Sequence, residues 1–336
     1  MPICYLHAGT HKTGTTALQR MLAANESLLA NSGIFVPQTG RLSPEFGSHH
    51  PIAWELNESP QSDRSLGTLR ELVDEVAAAR PPVVCLSSED FEQLYRKPDS
   101  LLRFFEAFAA IGYVVKPIFY LRPQAEYFEA IYADAIRSGA VFRFEWLMND
   151  IFDTGTYCPL SNDALPFEYS KLLGAFATAF GAENLIARRY VSAAPAMRIV
   201  RDFLHIISVD RPRVPLRGLE IPPRLNPSLR FGELLEALSA NCESHGRGPL
   251  PLSRNGVDFD HPCDFIQYSE ARAFVRRFAS DNRLVAREYG VHVPAVAAAA
   301  YANDLRTALG LNPRSSARRR ALDAVAPMLE FMPSRS

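Results

Sequence analysis

The chain's 336 residues are 47% hydrophobic and 22% charged, which excludes a disordered protein and suits one large α/β domain, or a domain with an appended subdomain. A formal net charge of -1 excludes a global pull toward nucleic acid, so any anion site has to be local. The five cysteines, Cys4, Cys85, Cys158, Cys242 and Cys263, are scattered without a C-x-x-C pair or a His/Cys cluster at metal spacing, the pattern of reduced, mostly buried thiols.

The chain opens on its first strand without a basic or apolar leader, and no run reaches about 18 apolar residues, so the expectation is a cytoplasmic protein. That strand, Ile3-Cys4-Tyr5-Leu6, is rich in strand formers, and from Thr16 onward Ala17, Leu18, Met21 and Leu22 recur at helical spacing. Residues 6–19 between them, LHAGTHKTGTTALQ, are rich in Gly and Thr with one lysine. Backbone N–H groups at a helix start have no partner within the helix, and the aligned peptide dipoles make the spot partly positive. The loop is therefore suited to a phosphate. Gly9 and Gly14 have the spacing of the nucleotide-triphosphatase loop G-x-x-x-x-G-K-[ST], but Thr15 and Thr16 follow Gly14, and the lysine sits inside the loop as Lys12. Lys12-Thr13-Gly14-Thr15-Thr16 instead resembles the K-[ST]-G-T-T loop of the sulfotransferases, which holds the 5′-phosphosulfate of 3′-phosphoadenosine 5′-phosphosulfate (PAPS).

Further along, residues 33–37 form a short extended piece, followed by a polar stretch, 38–65, read as a long surface excursion carrying His49 and His50. A helix pattern over 66–79 ends at Pro81-Pro82, which resets the backbone to extended before the strand Val83-Val84-Cys85-Leu86. Ser87-Ser88-Glu89-Asp90-Phe91 follows, then a helix over 101–111 that stops at Gly112. Residues 113–121 make an apolar run with a single lysine, as in a parallel strand buried on both faces. Strands alternating with helices imply an α/β, doubly wound parallel sheet, whose ligands lie beyond the carboxyl ends of the strands. The residues at those ends are Thr10 to Thr16, Ser87 to Asp90, and Arg122.

The resemblance extends to Tyr120-Leu121-Arg122-Pro123 and the helix after it, similar to the element whose strand-end arginine contacts the 3′-phosphate. The family's serine eight residues after that arginine is replaced here by Ala130, so one hydroxyl contact is missing. Asn184 to Tyr190 resembles the family strand whose terminal tyrosine reaches the adenine, although the acidic pair that follows it there is absent. A short apolar helix over 199–207 and a weaker match at Arg224 to Leu229 come next. In order and spacing the likeness covers 3 to 290, giving a P-loop-type α/β domain over 1–290, with 38–65 and 246–263 as lid or substrate loops. A mainly helical extension is expected over 291–336, with Arg314, Arg318, Arg319 and Arg320 ahead of an apolar run. A solvated terminal helix is its default reading; a peripheral membrane contact or self-association is the alternative.

The resemblance implies in-line sulfuryl transfer from PAPS to a hydroxyl or amine of a small-molecule or glycan acceptor, without a metal. Thr10, His11, Lys12, Thr13, Gly14, Thr15, Thr16, Arg122 and Tyr190 would hold the nucleotide, with Lys12 beside the bridging oxygen. Glu89 is the expected base, with His50 as second choice; a helix-capping carboxylate and an exposed loop histidine are the plainer readings. His11 either adds a hydrogen bond to the sulfonate or faces solvent. Phe142, Phe144, Trp146 and Tyr157 are either an acceptor wall or core. Two rival functions stay open, an ATP-dependent kinase and a non-catalytic nucleotide-binding protein on a degenerate scaffold.

Overall fold

Apolar strand formers at 3–7, 83–87 and 114–121 leave these segments buried, and helices on both sides cover them. The computed structural model describes residues 1–141, 144–158, 164–191, 196–208, 214–221, 230–246, 248–249, 266 and 268–293. From the N terminus, β1 (Ile3–His7) runs into α1 (Thr15–Ala24) and α2 (Glu26–Asn31), then β2 (Ile34–Phe35), α3 (His50–Asn57), α4 (Leu69–Ala79) and β3 (Val83–Ser87). A 3-10 segment, Glu89–Arg96, leads to α5 (Pro98–Ala110), β4 (Val114–Leu121), α6 (Gln124–Arg137), α7 (Phe144–Thr154), β5 (Thr156–Tyr157) and β6 (Leu165–Pro166). The chain continues through α8 (Tyr169–Phe180), β7 (Ile186–Arg189), α9 (Ala196–Ile207), α10 (Phe231–Ser244) and α11 (Tyr268–Tyr289).

Two compact units result. The first comprises Met1–Arg122, Tyr169–Leu225 and Asn282–Val293, and holds a five-stranded sheet in the order β2-β3-β1-β4-β7, parallel throughout. Its strands alternate between two cores, as a period of two requires. Cys4, Leu6, Val84, Leu86, Val115, Phe119 and Leu121 pack with α3, α4, α5 and α8. Tyr5, Val83, Cys85, Ile118 and Tyr120 pack on the other face with α1, α2 and α9. Burial of both faces is what makes the strands near-continuous apolar runs, and the fold is the α/β doubly wound parallel sheet expected. The connection leaving β1 leads to β2 on one side and the one leaving its neighbour β4 leads to β7 on the other, so the carboxyl ends of β1 and β4 flank the switch point where such sheets take ligands.

Local signals explain the element ends. Thr68 and Glu71 close a reciprocal capping box at the start of α4, and Arg80 ends it in the left-handed region just before Pro81. The stretch 38–65 departs from the expected surface excursion: it folds α3, whose Ile52, Ala53 and Leu56 are buried in the core against the 89–96 segment. These three core-facing residues span little more than one turn, too short a periodic signal to announce that helix.

The described residues of the second unit come from Pro123–Glu168 and Asn226–Asp281. Its core joins Phe128, Tyr132, Phe144, Leu147, Leu238 and Phe274 from α6, α7, α10 and α11, beside the antiparallel pair β5–β6. The loop match at 224–229, most of 246–263, Phe142, Cys263 and the basic C-terminal segment lie outside the described residues.

Candidate active site

The loop between β1 and α1 is tied to the sheet before it turns. Ala8 and Thr10 donate their N–H groups to the carbonyls of Ile118 and Tyr120 at 3.0 and 3.2 Å, and Tyr120 N–H donates to Gly9 O at 2.7 Å. Thr10 Oγ1 adds a second bond to Tyr120 O at 3.1 Å, and Thr13 Oγ1 donates to Thr10 O at 2.5 Å. Lys12 (φ 59) and Gly14 (φ 82) both take left-handed backbone to bring the chain round. Gly14 is the N-cap of α1 and brings no side-chain cap, so the first-turn amides are presented to whatever sits in the loop.

Residues just after β3 meet this loop directly. Thr15 Oγ1 and Gln19 Nε2, both on α1, donate to Oε1 and Oε2 of Glu89 at 3.0 and 2.6 Å. His50, at the start of α3, stands on the other side of Glu89 with Nε2 3.9 Å from Oε2. Its Nδ1 lies 3.1 Å from Asp90 Oδ2 and 2.8 Å from Ser88 Oγ, and its ring stacks on Trp54 at 5.7 Å between centroids. His50 is thus a half-buried helix residue inside the cluster, where a loop position in the excursion was expected. His11 reaches in from the loop: Nε2 is 3.2 Å from Asp90 Oδ1, and Nδ1 pairs with Glu92. With both nitrogens paired to carboxylates, His11 links the loop to the 89–96 segment.

These contacts set the protonation states. Burial alone would lower the pKa of His11, but the charge of Glu92 and the contacts with Asp90 outweigh it and hold the ring well above the usual histidine range. Burial likewise opposes charge on His50, and Asp90 and Glu89 raise its pKa above the ordinary value. Glu89 is lowered despite burial, because His50 and His11 stabilise its anion, and Asp90 is held far below the carboxylate range by its two histidine partners. Burial raises Glu92, with His11 opposing. The site is a chain of alternating carboxylates and imidazoles, Glu92, His11, Asp90, His50 and Glu89, at one end of the sheet.

Arg122 follows β4 at the same end. Its Nη1 donates to the Lys12 carbonyl at 3.1 Å, and its guanidinium lies over the Tyr190 ring at 5.7 Å from the centroid. Tyr190 in turn donates its N–H to Leu121 O at 2.8 Å, which fixes the end of β7 beside β4. A Cβ at Gly14 would stand 3.7 Å from the Tyr190 ring, so tyrosine, loop and arginine are neighbours. The residues the sequence nominated, Thr10 to Thr16, Glu89, His50, Arg122 and Tyr190, therefore come together. Phe144, Trp146 and Tyr157 pack with the core of the second unit, as core residues, and Ala130 on α6 brings no hydroxyl. Sequence reasoning placed Asp90 among the strand-end residues without a role of its own, and it missed Glu92. Among the described residues no group of three or more His, Cys, Asp or Glu side chains is arranged to hold a metal ion, and no helix is long and apolar enough to cross a membrane.

No protein-family model matches the chain, and no curated protein matches it in sequence. Among solved structures, a sulfotransferase from Alicyclobacillus acidocaldarius is similar at 15% identity and a TM-score of 0.45, over 86% of this chain and 96% of that one.

Proposed function

We propose that the protein transfers the sulfuryl group of PAPS to a hydroxyl, or an amine, of a small-molecule or glycan acceptor. The observation that carries this reading is the bond that joins loop to cluster: Thr15, the first residue of α1, donates to Glu89 at 3.0 Å, and Glu89 faces His50. In-line transfer requires an anion cradle, a cation at the leaving oxygen and a proton acceptor within one site. The uncapped start of α1 and the left-handed backbone at Gly14 fit the first requirement, with the amides of Thr13 to Thr16 taking the 5′-phosphate. Lys12 supplies the cation, Arg122 the fork of donors for a 3′-phosphate, and Tyr190 a ring for the adenine. PAPS brings the activated sulfuryl group; no metal is needed for these roles.

Of the two expected bases, the geometry favours His50. Both oxygens of Glu89 already accept hydrogen bonds, and the histidines beside it lower its basicity. Among the described residues His50 Nε2 has only the 3.9 Å approach to Glu89, and Asp90 and Glu89 raise its pKa above the ordinary value, which makes the neutral ring the stronger proton acceptor. Glu89 then stabilises the imidazolium formed. Calorimetric titration with adenosine 3′,5′-bisphosphate and with ATP, each with and without magnesium, tests the reading. The bisphosphate should bind more tightly and independently of the metal, and Arg122→Ala should weaken it by about 1.5–3 kcal/mol. Equal affinities for adenosine 5′-phosphate and the bisphosphate would remove the role given to Arg122, and preferential binding of ATP with magnesium would replace the reading by a kinase.

A further inference from the structure

We propose that Asp90 is the positioning residue of this site: it fixes the ring and tautomer of His50 so that Nε2 is the basic nitrogen, and through His11 it ties that base to the anion-binding loop. What the base is used for rests on the sulfuryl-transfer reading; the orientation does not.

Three donors converge on the Asp90 carboxylate. His50 Nδ1 and Trp54 Nε1 address Oδ2 at 3.1 and 2.7 Å, and His11 Nε2 addresses Oδ1 at 3.2 Å. The carboxylate is itself held from the backbone side, where Asp90 N–H donates to Ser88 Oγ at 3.1 Å and Asn57 Nδ2 donates to Asp90 O at 2.9 Å. An ionised carboxylate only accepts, so the proton sits on His50 Nδ1, shared between Asp90 Oδ2 and the nearer Ser88 Oγ at 2.8 Å, and the lone pair of the neutral ring is left on Nε2. Stacking on Trp54 removes the remaining freedom of the ring. The other oxygen of Asp90 reaches His11, whose second nitrogen ends on Glu92, a fully buried side chain. Loop and base therefore cannot shift independently. The titratable groups that face His50 are Asp90 and Glu89 from the segment after β3 and His11 from the loop; its neighbour His49 is buried and neutral.

In the transfer, the acceptor O–H bond breaks and its proton goes to His50 Nε2. The acceptor oxygen's electron pair forms the new bond to sulfur, while the bond from sulfur to the bridging oxygen breaks and leaves its pair on the 5′-phosphate. Asp90 touches none of these atoms. It lowers the cost of the imidazolium and holds Nε2 in place, as the third group of a nucleophile–base–orienter set does.

Imidazole ¹⁵N–¹H correlation spectra of the full chain, with the resonances of His50 identified by their loss in His50→Gln, read the tautomer without any substrate. Above its titration midpoint, wild-type His50 should be the Nδ1–H form. Asp90→Asn should lower the midpoint and release a mixture of tautomers, with bisphosphate affinity within about threefold and turnover down about 10²-fold or more. An Nε2–H tautomer in the wild type, or a midpoint indifferent to Asp90→Asn, would overturn the assignment. Where Asp90→Asn does not fold, Trp54→Phe keeps the stack and removes one donor from the same carboxylate, so it should raise the His50 midpoint; an unmoved midpoint there also overturns it. A wild type with the expected tautomer that binds no bisphosphate would sustain the role of Asp90 and defeat the sulfuryl-transfer reading instead.

Discussion

Lys12 and His50 illustrate how two residues of one site are told apart by when they act. A lysine beside a leaving oxygen gains most as charge reaches that oxygen, so its contribution belongs to the transition state. Lys12→Ala should lower kcat by about 10²-fold or more while acceptor KM changes little, since one well-placed electrostatic donor has that weight. A variant with near-normal kcat would reduce the loop to a binding feature. His50 and Glu89 separate by a different comparison. Removing the proton acceptor should cost about 10²–10⁴ in rate, whereas Glu89→Gln keeps one oxygen to accept from Thr15 and places an NH2 group opposite Gln19, whose amide can turn to accept from it, so it should cost less than His50→Ala. Side-by-side kinetics, with bisphosphate binding and thermal melting as controls, decide it; a dead Glu89→Gln beside an active His50→Ala returns the base to the glutamate.

At the scale of elements, the loop and the start of α1 depend on backbone that only glycine adopts cheaply. Gly14 has φ 82, and a Cβ there would meet Ile199 and Tyr190 at 3.6 and 3.7 Å, ordinary contact distances. The cost of Gly14→Ala is therefore conformational, about 1–2 kcal/mol for an L-residue in the left-handed region. Gly112 provides a matched control: it has the same φ of 82 after α5, and a Cβ there would meet nothing within 4 Å. Urea denaturation should show similar losses for Gly14→Ala and Gly112→Ala, but only the first should weaken the bisphosphate, since only there does relaxation of the strain move the amides of α1. Equal, intact binding in both would mean that the loop amides do not hold the phosphate. The strand–loop–helix order was legible because each element announces itself locally, by an apolar run or by helical spacing around Leu18, Met21 and Leu22. Helix α3 was not, because its apolar face is three residues long. The role of Asp90, and Glu92 altogether, were hidden for another reason: carboxylates after a strand read as helix caps, and their pairing with His11 spans about eighty residues of chain that no spacing rule connects.

Across the whole molecule, buried histidines of opposite kind give the stability a maximum in pH. His7 and His49 are fully buried and neutral, with burial pushing their pKa values down to about 4 and about 3. The neutral form is built in at His49, where Nδ1 accepts from Ser87 N–H at 3.3 Å and Nε2 donates to Pro37 O at 3.2 Å. Unfolded, both would titrate near 6.5, so below that pH the unfolded chain binds protons that the folded one refuses. Stability should then fall with acid by about 1.4 kcal/mol per pH unit for each histidine. Glu92 works against this slope, because its raised pKa makes the folded state the better proton binder once pH passes the carboxylate range. His11 and His50 act on the alkaline side. Their folded pKa values are raised, so their contribution is fully present below about 6.5 and is lost as pH rises through the folded values. The expected curve peaks near neutrality and declines both ways. His49→Gln keeps a donor and an acceptor without a titrating proton, so urea melts at pH 5 to 6.5 should show its acid slope reduced by about one proton, while the alkaline decline stays. An acid slope unchanged in that variant would mean that His49 is not the group being charged, and that acid stability is set by carboxylates such as Asp90 instead.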